Sequence, residues 1–322
     1  MSASGARRRG RVFGLEVEAD FNLPILPPSG RRSRARRTVL ELVDSKTLRS
    51  RWPAREAERS NEALRANGDL DFAVDRHPEA GYLLTAQRLG RFVVAADGTR
   101  VQCAPGRVAS WRWARFMLAQ VLPMAATARG LEVFHASAVS LANRAVAVVG
   151  PTGTGKTSLA ARLVTRGAGF LTDDVLAVEG RGDSLIAHPG PPVANTRDAS
   201  TGGLGRALAE ADDRVYLSVD TPGQTTVTAV PLGAMYFPEV GGSGIDVEVM
   251  RPLDPRLLLV NSFNWTIETR ARLSNQLDIC ARIAASVPLL RLLMAADVGP
   301  EQVAAVVEEH ALTMLSNVDR VA

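Results

Sequence analysis

Gly150-Pro151-Thr152-Gly153-Thr154-Gly155-Lys156-Thr157 is the stretch whose reading decides the fold. It has the form G-x-x-x-x-G-K-[ST], the P-loop, whose backbone N–H groups wrap around phosphate oxygens. Its surroundings suit it. Residues 145–149, all Ala or Val, read as a buried strand, and residues 158–166 read as a helix with Leu159 and Leu163 on one face. The glycines let N–H groups turn inward at a helix N-terminus, where the dipole also favours an anion. In such a loop a solvent-facing Lys156 reaches the β- and γ-phosphates and the Thr157 hydroxyl ligates Mg2+. Nucleotide contacts are expected from Gly150, Thr152, Gly153, Thr154, Gly155, Lys156, Thr157 and Ser158. A chance glycine-rich turn is the plain alternative, and residue usage speaks against it. Lys46 and Lys156 are the only lysines among 38 Lys and Arg residues. A compact ammonium fits this cradle and a planar guanidinium does not.

The chain around the loop has 322 residues, enough for one large domain or two ordinary ones. With 46% hydrophobic and 22% charged residues it has the composition of a globular protein. No apolar run approaches the roughly 18–20 residues that span a bilayer, and no apolar segment of signal-peptide type follows the basic start. Cys103 and Cys280 form no metal-ligand spacing and read as reduced structural thiols of a cytoplasmic protein. The net charge is +4, with arginines concentrated early, at positions 7–11 and 31–37. A solvated tail and loop is the bland reading of those clusters; an acidic peptide is the functional one. No aromatics interleave them, which argues against a nucleic-acid surface. The oligomeric state stays open, a homo-oligomer included.

Residues 1–105 are expected to form a β-rich N-terminal domain, with strands at 12–17, 38–43, 70–74, 82–87, 91–95 and 101–103. Turn signals separate them, among them Pro27-Pro28, Asn67-Gly68 and Asp97-Gly98. The polar stretch 51–65 reads as a surface helix. Residues 106–130 form a connecting helix that Pro123 kinks or breaks. Its Trp111, Phe116, Met117, Leu118 and Val121 read as core or interface. Residues 131–322 form the nucleotide-binding unit. Further strands are expected at 132–135, 138–141, 169–171, 175–179, 184–187, 225–230, 234–237 and 246–250, and helices at 254–262, 272–286 and 300–315. The Gly-, Asp- and Thr-rich stretch 195–223 reads as a mobile substrate loop.

A P-loop by itself means phosphate binding, not a reaction. Asp173-Asp174 narrows it. The pair ends the strand after the P-loop helix, which returns it to the phosphates. One carboxylate can hold Mg2+ and the other can take the proton from an attacking hydroxyl, an arrangement suited to phosphoryl transfer. Capping of a strand-end turn is the plain alternative. His135, at the end of its strand, reads on pattern alone as structural.

The order His135, P-loop, Arg166-Gly167, Asp173-Asp174 resembles the catalytic domain of bacterial HPr kinase/phosphorylase over about forty residues, 135–174. The wider layout is similar to HPr-kinase-like proteins encoded beside ribosomally made peptides, which also carry a segment like Pro231-Leu232-Gly233-Ala234-Met235-Tyr236. The resemblance implies an α/β chain: a mixed-sheet P-loop kinase domain of the HPr kinase/PEP carboxykinase type behind the β-rich N-terminal domain. It implies ATP and Mg2+ as cofactors, Asp173 as general base, Asp174 and Thr157 as metal ligands, and His135 near the γ-phosphate. Arg197 is the implied transition-state arginine. The chain departs from the family at Ser158, where HPr kinase has Glu, and Gly202-Gly203-Leu204-Gly205 only partly echoes its later R-G-L-G signature. The expected activity is transfer of the γ-phosphate to a Ser or Thr hydroxyl of a peptide or small protein. A small-molecule acceptor and a non-catalytic ATP-binding regulator are the alternatives.

Overall fold

The computed structural model describes residues 8–23, 26–27, 36–196, 204–211, 214–219, 225–251, 256–263 and 266–318. Pro28, Arg197, Gly202-Gly203 and the arginines at 7, 31, 32 and 34 lie outside the described residues. The chain divides into two compact units: residues up to Leu131 with a return segment ending at Leu273, and Glu132–Phe263 with everything from Ser274.

The first unit holds an eight-stranded sheet. In chain order it contains β1 (Arg8–Val12), β2 (Leu15–Ala19), β3 (Arg36–Leu42), α1 (Ser45–Arg51), β4 (Glu58–Leu64), β5 (Leu70–His77), β6 (Gly81–Ala86), β7 (Gly90–Val94) and β8 (Arg100–Pro105). The sheet runs β1-β2-β3-β8-β7-β6-β5-β4, parallel at β2/β3 and β3/β8 and antiparallel elsewhere. The single strand expected over 12–17 is instead a hairpin. Phe13 and Gly14 both take positive φ, 51° and 74°, the two-residue turn whose twist matches flanking strands. The helix expected over 51–65 is also corrected. Helix α1 ends at Arg51 ahead of Pro53, and residues 58–64 become the exposed edge strand β4, whose charges blunt the edge against further pairing.

Two helical segments follow, α2 (Ser110–Phe116) and α3 (Leu122–Ala128), and they belong to the same unit. Pro123 does not break them apart. Residues 117–121 between them are π-helical, with the Leu122 N–H bonded to Met117 O. The wider turn accommodates a ring that would otherwise strike the preceding turn, at a position that lacks a donor. The central aromatic here is Trp113, fully buried against Phe21 and Phe92 at centroid distances of 5.3 and 5.8 Å. Part of the early arginine excess is spent inside this unit: Arg9 and Arg37 both reach the buried Glu18, at 3.6 and 2.6 Å.

The second unit contains β9 (Glu132–Phe134), β10 (Ala136–Leu141), β11 (Arg144–Val149), α4 (Lys156–Thr165), β12 (Gly169–Thr172), β13 (Leu176–Arg181), β14 (Ser184–His188), β15 (Val193–Thr196), β16 (Arg206–Ala211), β17 (Arg214–Ser218), β18 (Val230–Val240), β19 (Ile245–Val249), α5 (Arg256–Val260), most of α6 (Arg270–Ser286), β20 (Leu289–Met294) and α7 (Pro300–Val318). Nine strands form one mixed sheet. Its path is β12-β10-β11-β18-β14-β13-β9, and β20 joins both β18 and β19. Strands β11, β18 and β20 run parallel to one another; the remaining pairs are antiparallel.

The run at β11 is apolar throughout because both faces are covered. Side chains alternate across a strand, so Val146 and Val148 enter one core while Ala145, Ala147 and Val149 enter the other. The first core packs α4 and α7 through Leu159, Leu163, Val307 and Leu315; the second packs α5 and α6 through Leu258, Ile279 and Ile283. Cys103 and Cys280 are buried, and neither takes part in a disulfide.

Three sequence expectations change in this unit. Much of the loop expected over 195–223 is a three-stranded antiparallel sheet, β15-β17-β16. Its Leu217 and neighbouring Val219 join the core beneath α4, and that burial orders the strands. The strand expected over 225–230 reduces to one bridge, Thr225 to Phe170, ahead of β18. The apolar run 289–294, which sequence reading passed over, is β20.

Candidate functional site

The loop 150–157 joins the C-terminal end of β11 to α4. Gly153 and Gly155 take φ of 95° and 83°, and Gly155 is the N-cap of α4. These left-handed conformations are open to glycine and strained for other residues. They let successive N–H groups converge as an anion-binding concavity. Pro151, Thr152 and Gly153 at the apex are exposed, and Gly150 at the base is buried. Thr154 Oγ1 donates to Pro151 O at 3.0 Å. Ser158 is half-buried in the first turn of α4.

Lys156 differs from its expected solvent-facing position. It is 5% exposed, and its Nζ donates to Pro151 O at 2.9 Å. The ammonium is folded back across its own loop, where a backbone carbonyl compensates part of the cost of burying the charge.

Strand β12 ends where Asp173-Asp174 begins. Its pairing with β10, Ala138 opposite Thr172, brings the aspartates beside Ser137 of β10 and the start of α4. Among the described residues three donors reach the Asp173 carboxylate. Ser137 Oγ (2.5 Å) and Thr157 Oγ1 (2.8 Å) bond to Oδ1, and the Asn195 backbone N–H (2.8 Å) bonds to Oδ2. Burial, and then the neighbouring charge of Asp174, push the Asp173 carboxyl up to about 6 against the pull of those donors. Asp174 follows in the left-handed region at φ 64°, which Asp tolerates better than most residues.

His135 sits between β9 and β10, half-buried, with its backbone N–H donating to Asn261 O at 2.8 Å. Its Nδ1 lies 3.1 Å from the Asp174 carbonyl oxygen. A carbonyl only accepts, so Nδ1 carries the hydrogen and Nε2 keeps its lone pair. Burial and the nearby Lys156 charge lower the imidazole pKa below its ordinary value, which keeps the ring neutral at pH 7.

The fold therefore gathers His135, Lys156, Thr157, Asp173 and Asp174 from three separated segments. Sequence reading missed two participants. Ser137 had no signal beyond a polar residue in an apolar strand. Asn195 was legible only as the start of a loop; its Nδ2 faces Asp174 Oδ2 at 3.4 Å while its backbone serves Asp173.

No family model matches the chain, and no curated protein matches it. Solved structures that resemble it include the HPr(Ser) kinase/phosphatase from Coxiella burnetii, at 13% identity and a TM-score of 0.31, covering 56% of this chain and 97% of that one. The likeness is distant. Among the described residues no helix is long and apolar enough to cross a membrane.

Proposed function

We propose that the chain is an ATP- and Mg2+-dependent phosphotransferase that acts on a Ser or Thr hydroxyl of a peptide or small protein. The observation that carries this reading is the bond from Thr157, at the end of the glycine-rich loop, to Asp173, the first of the paired carboxylates. It joins a phosphate cradle to a candidate base, which phosphoryl transfer needs and mere anion binding does not.

The donor set fits a small hard cation. Thr157 contributes a hydroxyl, Asp174 a carboxylate, and Asn195 Oδ1 is a buried oxygen with no partner among the described residues. Among the described residues no group of three His, Cys, Asp or Glu side chains forms a metal cage. Mg2+ rarely uses one; it keeps waters and takes one or two carboxylates with substrate phosphates. Thr157 and Asp174 are the residues proposed to hold it. When bound, ATP and Mg2+ supply the transferable phosphoryl group and neutralise its charge.

The chain's own groups divide the remaining work. Lys156 places a cation in the loop against the phosphate charge. Ser137 and Thr157 occupy Oδ1 of Asp173, and one N–H occupies Oδ2, which leaves an Oδ2 lone pair for a proton. That oxygen takes the proton as the acceptor O–H bond breaks, the new O–P bond forms and ADP departs with its bridging oxygen. His135, held by the Asp174 carbonyl, orders the turn that carries both aspartates. Arg197 remains the proposed arginine for the developing charge.

Mass spectrometry of candidate acceptors incubated with the protein, ATP and Mg2+ tests this. A phosphate added to a peptide Ser or Thr supports the proposal. ATP binding without transfer or hydrolysis would contradict it.

A further inference from the structure

Asn195 is 6% exposed and makes two contacts of opposite character. Its backbone N–H reaches Asp173 Oδ2, a bond that any residue but proline could supply. Its side chain is more demanding. The Nδ2 donor faces Asp174 Oδ2, and since a carboxylate only accepts, that contact orients the amide and places Oδ1 on the other branch. Oδ1 is buried, and among the described residues no hydrogen-bond partner reaches it. A carbonyl oxygen left bare in the interior is costly, so such an atom calls for a ligand.

We propose that Asn195 is a positioning residue of the divalent-cation site: its two N–H groups hold the Asp173 and Asp174 carboxylates in register, and its Oδ1 accepts the cation or a water bound to it. This rests on the phosphotransferase reading above and adds a residue and a role to it. The chemistry singles out a carboxamide. Alanine would release Asp174. Only an amide presents a donor to one carboxylate and a neutral oxygen beside it. The placement is firm, because Asn195 lies in β15 opposite Tyr216 of β17, and Ala194 beside it is buried in the core under α4. The three-stranded sheet thereby connects directly to the aspartate pair.

The test uses Mn2+ as the probe, with free Mn2+ read by electron paramagnetic resonance, in the full-length protein with a non-hydrolysable ATP analogue. Asn195→Ala should weaken Mn2+ binding about tenfold, the size expected when one hydrogen-bonding group is lost. Binding of the analogue in chelator should stay the same. Asn195→Asp keeps the backbone N–H and adds a charged oxygen, so it should hold Mn2+ more tightly than wild type even without nucleotide. That variant also decides the matter if the alanine variant does not fold. Wild-type Mn2+ affinity in Asn195→Ala, or unchanged or weaker affinity in Asn195→Asp, would overturn the inference and leave the function standing. No Mn2+ binding by the wild-type protein with the analogue would instead remove the phosphotransferase reading itself.

Discussion

The hydroxyl of Thr157 donates to Asp173 Oδ1 across 2.8 Å, tying the glycine-rich loop to the end of β12. That bond holds a carboxylate in a place where water cannot stabilise its charge. In the folded protein its carboxyl is pushed up to about 6, against about 3.9 for an unfolded aspartate.

The sign of the pH dependence follows. Between those two values the folded protein keeps the proton and the unfolded chain has lost it. Stability from this group is therefore complete below about pH 4 and is lost as pH rises through about 6, a change on the order of 3 kcal/mol. Asp173→Asn, which cannot ionise, should melt at a higher temperature than wild type near neutral pH, with the gap closing toward about pH 4. Thermal melts across that range check it. A gap independent of pH would mean that Asp173 carries no buried charge.

The two aspartates should separate by role. Asp173→Asn should keep Mg2+-dependent ATP affinity and lose about 10²–10⁴-fold in turnover, the usual worth of a general base. Asp174→Asn should weaken nucleotide binding in Mg2+ as well, and Asn tolerates the left-handed backbone there. Calorimetry and turnover measured together distinguish these outcomes; loss of nucleotide affinity in Asp173→Asn alone would reverse the roles.

His135→Ala removes the bond to the Asp174 carbonyl without touching the loop. Turnover should fall about tenfold, the value of one hydrogen bond, while ATP affinity changes little. Full turnover in the folded variant would return His135 to a purely structural part.

A stability prediction concerns the first core. Tyr236 is fully buried, and its hydroxyl lies 2.7 Å from Nδ1 of the half-exposed His310. His310→Ala strands the phenol hydroxyl and should cost about 1–3 kcal/mol; Tyr236→Phe leaves an imidazole that water can reach and should cost about 1 kcal/mol. Denaturant melts of both variants read the asymmetry, and equal costs would contradict it.

The parts legible in sequence are those where one local rule decides. The apolar run before the loop could only be a strand covered on both faces, and the loop's glycines mark where the backbone must turn left-handed. The helix expected over 300–315 follows from its apolar spacing, and α7 forms there. Phe13-Gly14 escaped because an aromatic rarely takes positive φ, and only the pairing of β1 with β2 makes that turn worthwhile. Residues 58–64 carry too few apolar side chains to announce a strand; pairing with β5 makes them one. In the site, Lys156, Thr157 and the aspartates have side chains whose chemistry signals itself, whereas His135 reads on pattern alone as structural and only the resemblance singles it out. Asn195 acts partly through its backbone and through strand pairing far along the chain, and no local pattern reveals either.

The loop 150–157 is proposed to bind a nucleoside triphosphate through Lys156. Calorimetric titration of ATP into the wild-type protein, with Mg2+ and with chelator, and into Lys156→Ala, tests it most directly. Wild type should give saturable binding that Mg2+ strengthens. Lys156→Ala should still melt cooperatively yet bind at least about 10²-fold more weakly, since it loses a charged contact to phosphate. Absence of ATP binding by wild type, or equal affinity in Lys156→Ala, would rule out nucleotide binding through this loop.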